Sequence, residues 1–434
     1  MKKNKKKQVY VGLAADILHE GHINILRTAC ELGDVTVGLL TDSAISAYKK
    51  FPHLNYKQRE IVLKNIKYVK KVIPQKTLDY RKNLIMLKPN FVVHGDDWRS
   101  GVQKKIRKHV INTLKKWNGI LIEPKYTKNI SSSQIKKKIH EAGTSVENRL
   151  SKLKRMIDAK NIVRIIESHN PLTGLIIENI KVTKGAKYLE FDGMWSSSLV
   201  DSAIRAKPDN QAVDMSTRIS GLNEIMDVTT KPVIFDADNG GRLEHIRYLV
   251  RTLERSGVSA IVIEDKIGLK KNSLFKNQTG VKQDSIKNFS NKLKAASNSK
   301  ISKDFFIVAR IESFILGKGL KDALKRAEAY SKSGADAILI HSKEKNPSEI
   351  FSFSKKFLKN KNYVPLIAVP STYSKTTESQ LIKNGFKIVI YANHFLRAIY
   401  PAIESTAKSI LINQRSSEVE KKISTVNTVI NLIK

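Results

Sequence analysis

The sequence predicts an α/β chain of two units, an N-terminal doubly wound parallel sheet of Rossmann-like type followed by a (β/α)8 barrel. Three observations predict it. In the first third, short apolar runs alternate with amphipathic stretches, the pattern of parallel strands joined by helical crossovers. Near residue 145 the rhythm breaks at a polar segment, "GTSVENR". Beyond it, eight nearly continuous apolar runs follow in about 250 residues, the count and spacing of a barrel. We therefore expect domains at 1–145 and 146–434.

In the first unit, "VYVGLAAD" (9–16) reads as a strand and "HINILRTACELG" (22–33) as a helix closed by Gly33. "VTVGLLTD" (35–42) is the next strand, and a helix is expected from about Lys57 to Tyr68. Strands "KKVIP" (70–74), "FVVHGDD" (91–97) and "GILIEP" (119–124) follow, and a last helix starts after "ISSS".

Residues 143–168 begin polar and read as helical. The barrel strands expected next are "GLIIEN" (174–179), "KYLEFDG" (187–193), "PVIFDAD" (232–238) and "AIVIED" (260–265). The other four are "FFIVARIE" (305–312), "AILIHS" (337–342), "PLIAVP" (365–370) and "KIVIYA" (387–392). Amphipathic helices separate most of them, and 402–433 reads as a helical tail.

Composition narrows the function classes. The 434 residues exceed one ordinary domain. No apolar stretch approaches the roughly 18 residues that span a bilayer, so no membrane role is expected. A single cysteine, Cys30, excludes a disulfide framework and a cysteine-based zinc site, and fits a reducing cytoplasm. The formal net charge is +38. Such a balance favours anionic partners. Lysine outnumbers arginine roughly three to one and is spread along the chain. Base readout uses arginine in clustered stripes, so nucleic acid is the lesser reading and small phosphorylated substrates the better one.

In the first unit, His19 and His22 fall at the mouth of the first helix, where free N–H groups and the positive dipole end suit phosphate. A metal pair or plain capping histidines would read the same way. Ser131, Ser132 and Ser133 fall at a second helix start, and either cap it or bind another phosphate. With "HEGH" (19–22), "TD" (41–42), "YKQRE" (56–60), "VIPQK" (72–76), "HGDDW" (94–98) and "ISSSQI" (130–135) in order, the unit resembles the HxGH nucleotidyltransferase family, in its glycerol-3-phosphate cytidylyltransferase branch. The resemblance implies that His19, His22 and the serine-bearing helix grip CTP, with Mg²⁺. It also implies nucleotide contacts at Ala14, Ala15, Lys50 and Asp96, and acceptor binding at Arg81, where that family has a lysine. One departure stands out: Tyr126 takes the place of an arginine before the serine run, which leaves Lys125 or Lys128 to supply the charge.

In the second unit, Asp236 and Asp238 follow the third expected strand, and Glu264 and Asp265 the fourth. Arg310 ends the fifth and His341 the sixth. Barrel active sites are built on that face. Oxygen-only ligands favour a hard ion such as Mg²⁺, held largely through water. Loop carboxylates capping the following helices are the plain alternative. The basic loop "EDKIGLKKNSL" (264–274) could close over an anion and exclude water.

"WSSSLVDS" (195–202), Asp209, "DADNGG" (236–241), "EDKIGLKKNS", "ARIE" (309–312) and "HSKEKNPSEI" (341–350) resemble the phosphoenolpyruvate mutase/isocitrate lyase superfamily, and within it the mutases. The lyases carry a cysteine in the loop where this chain has Lys270, Lys271, Asn272 and Ser273. The resemblance implies conversion of phosphoenolpyruvate to phosphonopyruvate. Asp236 would anchor Mg²⁺, with Asp238 and Glu264 acting through water. Trp195, Ser197, Ser198, Leu199 and Ser342 would hold the substrate. Asp209, Lys270, Asn272, Arg310 and His341 would serve the transfer.

The domain order resembles the fused enzymes of fosfomycin and phosphonate biosynthesis. It implies a bifunctional enzyme whose transferase half attaches CMP to a phosphonate, 2-hydroxyethylphosphonate first. The alternatives are 2-aminoethylphosphonate or glycerol phosphate as acceptor, a barrel acting as phosphonopyruvate hydrolase or C–C lyase, and a nucleic-acid-binding protein with degenerate sites. The superfamily's habit of exchanging C-terminal helices implies a homo-oligomer, dimer or tetramer.

Overall fold

The computed structural model describes residues 6–99, 103–125, 144–184, 187–268, 270–275 and 277–433. The chain divides into two compact units, 1–142 with 181–189, and 143–180 with 190–434.

The first unit carries five parallel strands: β1 (Gln8–Leu13), β2 (Asp34–Leu40), β3 (Lys71–Gln75), β4 (Phe91–Val93) and β5 (Ile120–Ile122). Their order is β3-β2-β1-β4-β5. The order reverses between β1 and β4, and the crevice outside their C-terminal ends is where such sheets bind ligands. Val9, Val11, Val35, Val37 and Val93 are buried between the sheet and its helices. Gly33 does follow the first helix, Glu20–Leu32, but not as a left-handed cap. Its φ is 154°, and a Cβ would stand 2.1 Å from the Lys7 carbonyl oxygen. Three helices come in addition to those expected: Asp42–Ser46, Arg81–Leu87 and Lys104–Leu114. The helix expected after "ISSS" lies outside the described residues.

The second unit is a closed parallel barrel. In chain order its strands are β6 (Val163–Glu167), β9 (Gly193–Ser196), β10 (Val233–Asp236), β11 (Ala260–Glu264), β14 (Phe306–Ile311), β15 (Ala337–Ile340), β16 (Leu366–Ala368) and β17 (Phe386–Tyr391). Two short antiparallel hairpins fall between these strands along the chain: β7–β8 (Val182–Lys184, Lys187–Leu189), which belongs to the first unit, and β12–β13 (Lys266–Ile267, Lys282–Gln283) in the second.

The number of rungs agrees with expectation, but the first two are different segments. "GLIIEN" is helical, within Pro171–Asn179. Asn170 caps that helix in a reciprocal box with Thr173, and Pro171 opens it, as first-turn proline favours. "KYLEFDG" supplies only the edge of a hairpin. The true first strand lies in the stretch read as helical. Its Val163, Ile165 and Ile166 are β-branched and buried, and periodicity alone does not separate such a run from a buried helix.

The barrel core is continuous, running from Ile166 and Met194 through Phe235, Ile261 and Ile307 to Ile338, Leu366 and Val389. Among the described residues no helix is long and apolar enough to cross a membrane.

Candidate active sites

In the first unit, β1 ends at Leu13 and the chain turns at Ala15, whose φ of 49° is left-handed. The turn delivers His19 to the N-cap of the Glu20–Leu32 helix and His22 to its first turn. The two rings lie 4.1 Å apart, centroid to centroid. Burial, then the neighbouring His19 and Lys49, bring His22 down to about 4. His19 is lowered as well, by burial. Both rings are therefore neutral near pH 7. Each keeps a buried Nδ1 without a hydrogen-bond partner among the described residues.

Lys50 is the lysine expected at the nucleotide, and its neighbour Lys49 lies nearer His22 in charge. Lys50 is exposed, while Lys49 is the half-buried cation felt by His22. Arg81 is exposed and pairs with Asp79 at 2.5 Å, so an acceptor phosphate would have to compete with that carboxylate. Asp96 is half-buried in the turn after β4, its N–H bonded to Pro124 O at 3.2 Å. His94 stacks on Trp98 at 3.8 Å. Ser131, Ser132 and Ser133 lie outside the described residues, as do Tyr126 and Lys128.

One residue that spacing alone did not single out braces this crevice. The fully buried Arg59 donates to Ala14 O at 2.6 Å, Leu40 O at 2.8 Å, Leu54 O at 3.1 Å and Asp42 Oδ1 at 2.5 Å. A single guanidinium thus ties together the loops after β1 and β2.

In the barrel, the strand ends converge on one cavity of about 60 Å³. Its wall includes Trp195, Ser197, Ser198, Leu199, Asp209, Asp236, Lys270, Asn272, Arg310 and His341. Ser342 is not in that wall. Its hydroxyl turns to Glu349. Ser197 also caps the helix Ser198–Ala203, its Oγ accepting from Val200 N at 3.4 Å.

Residues 270–274 of the loop after β11 close over the cavity, with Lys270, Asn272, Ser273 and Leu274 in its wall. Lys270 Nζ pairs with Asp238, contacts Ser198 Oγ, and sits 3.0 Å from Asp209 Oδ1. Asn272 Nδ2 donates to Asp209 Oδ2 at 2.8 Å.

Burial alone would raise Asp236. The charges of Lys270, Arg310 and Arg218 and the Ser198 hydroxyl outweigh it and hold the carboxyl at about 2. Glu264 shows the opposite balance: burial wins over Arg310 and Lys266, and its carboxyl rises to about 7. Asp265 does not belong to the site. It accepts from Tyr330 and Gln283 at 2.8 Å and from Arg326 at 3.2 Å, in a buried cluster.

The oxygen-only donors fit a hard divalent ion. Glu264 Oε2 is buried without a hydrogen-bond partner, 3.4 Å from Arg310 Nη2, and Asp236 is fully enclosed. Among the described residues no three such side chains are close enough to hold an ion by themselves.

Behind the cavity runs a network only partly read from sequence. Arg310 donates from Nε to Glu312 Oε1 at 2.5 Å, and its Nη2 lies 3.0 Å from His341 Nδ1. Glu312 Oε1 is also 3.0 Å from that Nδ1. Burial lowers His341 first and Arg310 second, leaving the ring neutral. Glu312 sits inside the quoted "ARIE". Asn393, after the eighth strand, also lines the cavity with its Oδ1 unpartnered among the described residues. The strand-end rule that found His341 would have found it too.

One unit is a closed barrel with an acidic mouth, the other a doubly wound sheet with a histidine pair at a helix mouth, and together they are the architecture of a bifunctional enzyme. Residues 153–411 match the family described as phosphoenolpyruvate phosphomutase, and residues 10–138 match that described as cytidylyltransferase-like. The chain belongs to the phosphoenolpyruvate phosphomutase family, with an N-terminal cytidylyltransferase-like domain. It is 37% identical to the phosphoenolpyruvate phosphomutase of Tetrahymena pyriformis, over 66% of this chain and 92% of that protein. It is 35% identical to the phosphonopyruvate hydrolase of Variovorax sp., over 64% and 93%. Among solved structures, the phosphoenolpyruvate phosphomutase of Streptomyces platensis subsp. rosaceus superposes with a TM-score of 0.61 at 34% identity, covering 65% of this chain and 94% of that one. A phosphonopyruvate hydrolase bound to oxalate and Mg²⁺ gives 0.59 at 33%, covering 66% and 94%.

Proposed function

We propose that the barrel interconverts phosphoenolpyruvate and phosphonopyruvate, and that the N-terminal unit transfers CMP from CTP to a phosphonate, 2-hydroxyethylphosphonate first, releasing pyrophosphate. The observation that carries the barrel reading is the loop over the strand ends: Lys270 and Asn272 meet Asp209 on the wall of the cavity that Asp236, Arg310 and His341 also line. Phosphoryl transfer through a loose transition state needs positioned charge and a dry site more than covalent help.

The roles then follow. Trp195, Ser197, Ser198 and Leu199 hold the pyruvoyl part. Arg310, His341 and Asn272 steady the phosphoryl group while its bond to oxygen breaks and its bond to C3 forms. Asp209 orients the flap's amide and ammonium. Asp236 would hold Mg²⁺, with Asp238 and Glu264 acting through water. The ion would polarise the enolate oxygen when bound. In the N-terminal unit, neutral His19 and His22 donate hydrogen bonds to the phosphates as charge develops.

A second reading has support from the hydrolase relative at 35% identity. Incubation with phosphonopyruvate and Mg²⁺ separates the two. A mutase gives phosphoenolpyruvate, whereas a hydrolase gives pyruvate and phosphate. A panel of 2-hydroxyethylphosphonate, 2-aminoethylphosphonate and glycerol phosphate with CTP, followed by pyrophosphate release, tests the acceptor. Exposed Tyr400, Ile403, Leu411 and Ile412 on the helix His394–Asn413 support a homo-oligomer.

A further inference from the structure

We infer that Ser273 is a positioning residue whose hydroxyl latches the closed flap to the groups that handle the phosphoryl moiety. The inference rests on the mutase reading of the barrel. Ser273 lies in the flap and is 3% exposed. Its Oγ donates to Glu312 Oε2 at 2.6 Å, and accepts from Lys266 Nζ at 2.8 Å and from Arg310 Nη2 at 2.9 Å. A hydroxyl has one proton and two lone pairs, so all of its capacity is used. Every partner is charged, Glu312 and Lys266 are buried and Arg310 is half-buried, and hydrogen bonds to such groups are the strong ones.

Two of the three partners, Arg310 and Glu312, are also the groups in contact with His341 Nδ1. Lys266 fastens the flap a second time through the Lys271 carbonyl at 3.0 Å. Gln278 Nε2 stiffens the flap's own turn by donating to Asn272 O and Phe275 O, each at 2.9 Å. Lifting the flap would therefore strip a donor from Glu312 and an acceptor from both Arg310 and Lys266 in one movement. Flap closure and alignment of Arg310 with His341 are a single event, and Ser273 is the atom they share.

The chemical consequence is control of water. With the latch missing, water reaches phosphorus. Its oxygen takes the phosphoryl group of phosphonopyruvate, the P–C bond breaks, and C3 keeps the pair and gains a proton, giving pyruvate and phosphate.

The test uses the full chain as wild type, Ser273→Ala, Ser273→Cys and Ser273→Thr. With phosphonopyruvate and Mg²⁺, phosphorus NMR reads the ratio of phosphate to phosphoenolpyruvate. Ser273→Ala should slow phosphoenolpyruvate formation roughly 10–100-fold and raise that ratio about tenfold or more. Ser273→Thr, which keeps the hydroxyl, should restore both, and Ser273→Cys should fall between. A second readout needs no turnover: trypsin cleavage after Lys270 or Lys271 in the presence of oxalate and Mg²⁺. The wild-type and Thr proteins should be protected and the Ala protein cut. If Ser273→Ala fails to fold, the Cys variant carries both readouts. A Ser273→Ala protein with the wild-type product ratio or wild-type protection overturns the latch. A wild type that makes no phosphoenolpyruvate overturns the mutase reading instead, and the trypsin readout then decides the latch alone.

Discussion

Arg310 and His341 meet at 3.0 Å, Nη2 to Nδ1, on the ends of neighbouring barrel strands. The guanidinium also reaches Glu312, Ser273 and Glu264. Only a planar fork makes all of these contacts at once. Burial would lower its pKa, yet Glu312, Glu264 and Asp236 raise it, so the charge is permanent. That charge in turn helps to keep His341 neutral.

Arg310→Lys should therefore act as a severe change. Lysine keeps one positive charge but loses the simultaneous grip on Glu312, Ser273 and His341. Barrel turnover with phosphonopyruvate should fall by roughly 100-fold or more, with CMP transfer unaltered. A lysine variant within a few-fold of wild type would show that charge alone suffices.

Asp236→Ala and His22→Ala should each remove one activity. Asp236 is buried in the barrel mouth and bonded to Ser198 Oγ at 3.0 Å, whereas His22 belongs to the doubly wound sheet. We expect loss of phosphonopyruvate turnover with pyrophosphate release intact for the first, and the reverse for the second. Each loss should be roughly 100-fold or greater. Assays of both reactions on both variants check it, and one substitution that abolishes both reactions without unfolding the chain would contradict two separate sites.

Chemistry was more legible in the sequence than geometry. Strand-end residues such as Asp236, Arg310 and His341 were found because barrel sites sit at one face, and all three line the cavity. The first two strands were misplaced, because "NIVRIIES" and "GLIIEN" are equally apolar. A capping box around Asn170 decided between them, and it lies in side-chain geometry. Asp265 looked like a site residue by position, but its side chain takes the opposite direction, towards Arg326 and Tyr330. Lys49 and Lys50 are adjacent in the turn that follows the Asp42–Ser46 helix, and their difference in burial comes from the path of that turn, which residue type and spacing do not give. Arg59 and Ser273 gave no signal beyond membership in a motif, since their importance comes from how many distant partners each reaches.

Arg59→Ala should destabilise the first unit. The substitution leaves three carbonyl oxygens and Asp42 without their donor. Breaking such a buried network costs about 3–5 kcal/mol. Calorimetry of the full chain should show an earlier transition for the sheet unit, with phosphonopyruvate turnover at wild-type level. An unshifted transition would mean that the loops after β1 and β2 hold themselves.

Glu167, which is not in the cavity wall, offers a stability test. It ends β6 fully buried and accepts from Leu396 N at 2.6 Å, at the start of the helix His394–Asn413. Burial lifts its carboxyl from the ordinary 4.5 to about 7, against the opposing pull of the Leu396 N–H. A folded-state value above the unfolded one means that the folded protein holds the proton more tightly. The stabilisation is thus fully present below about 4.5 and is lost as pH rises to about 7. Glu167→Gln keeps an acceptor for Leu396 and carries no charge to bury. It should match the wild type near pH 4.5 and exceed it at pH 8, by at most about 3 kcal/mol. Denaturant unfolding of both proteins at the two pH values gives the double difference, in which every other titrating group cancels. A difference of zero at pH 8 would show that Glu167 is ionised in the fold at no cost, and that the helix N-terminus compensates its burial in full.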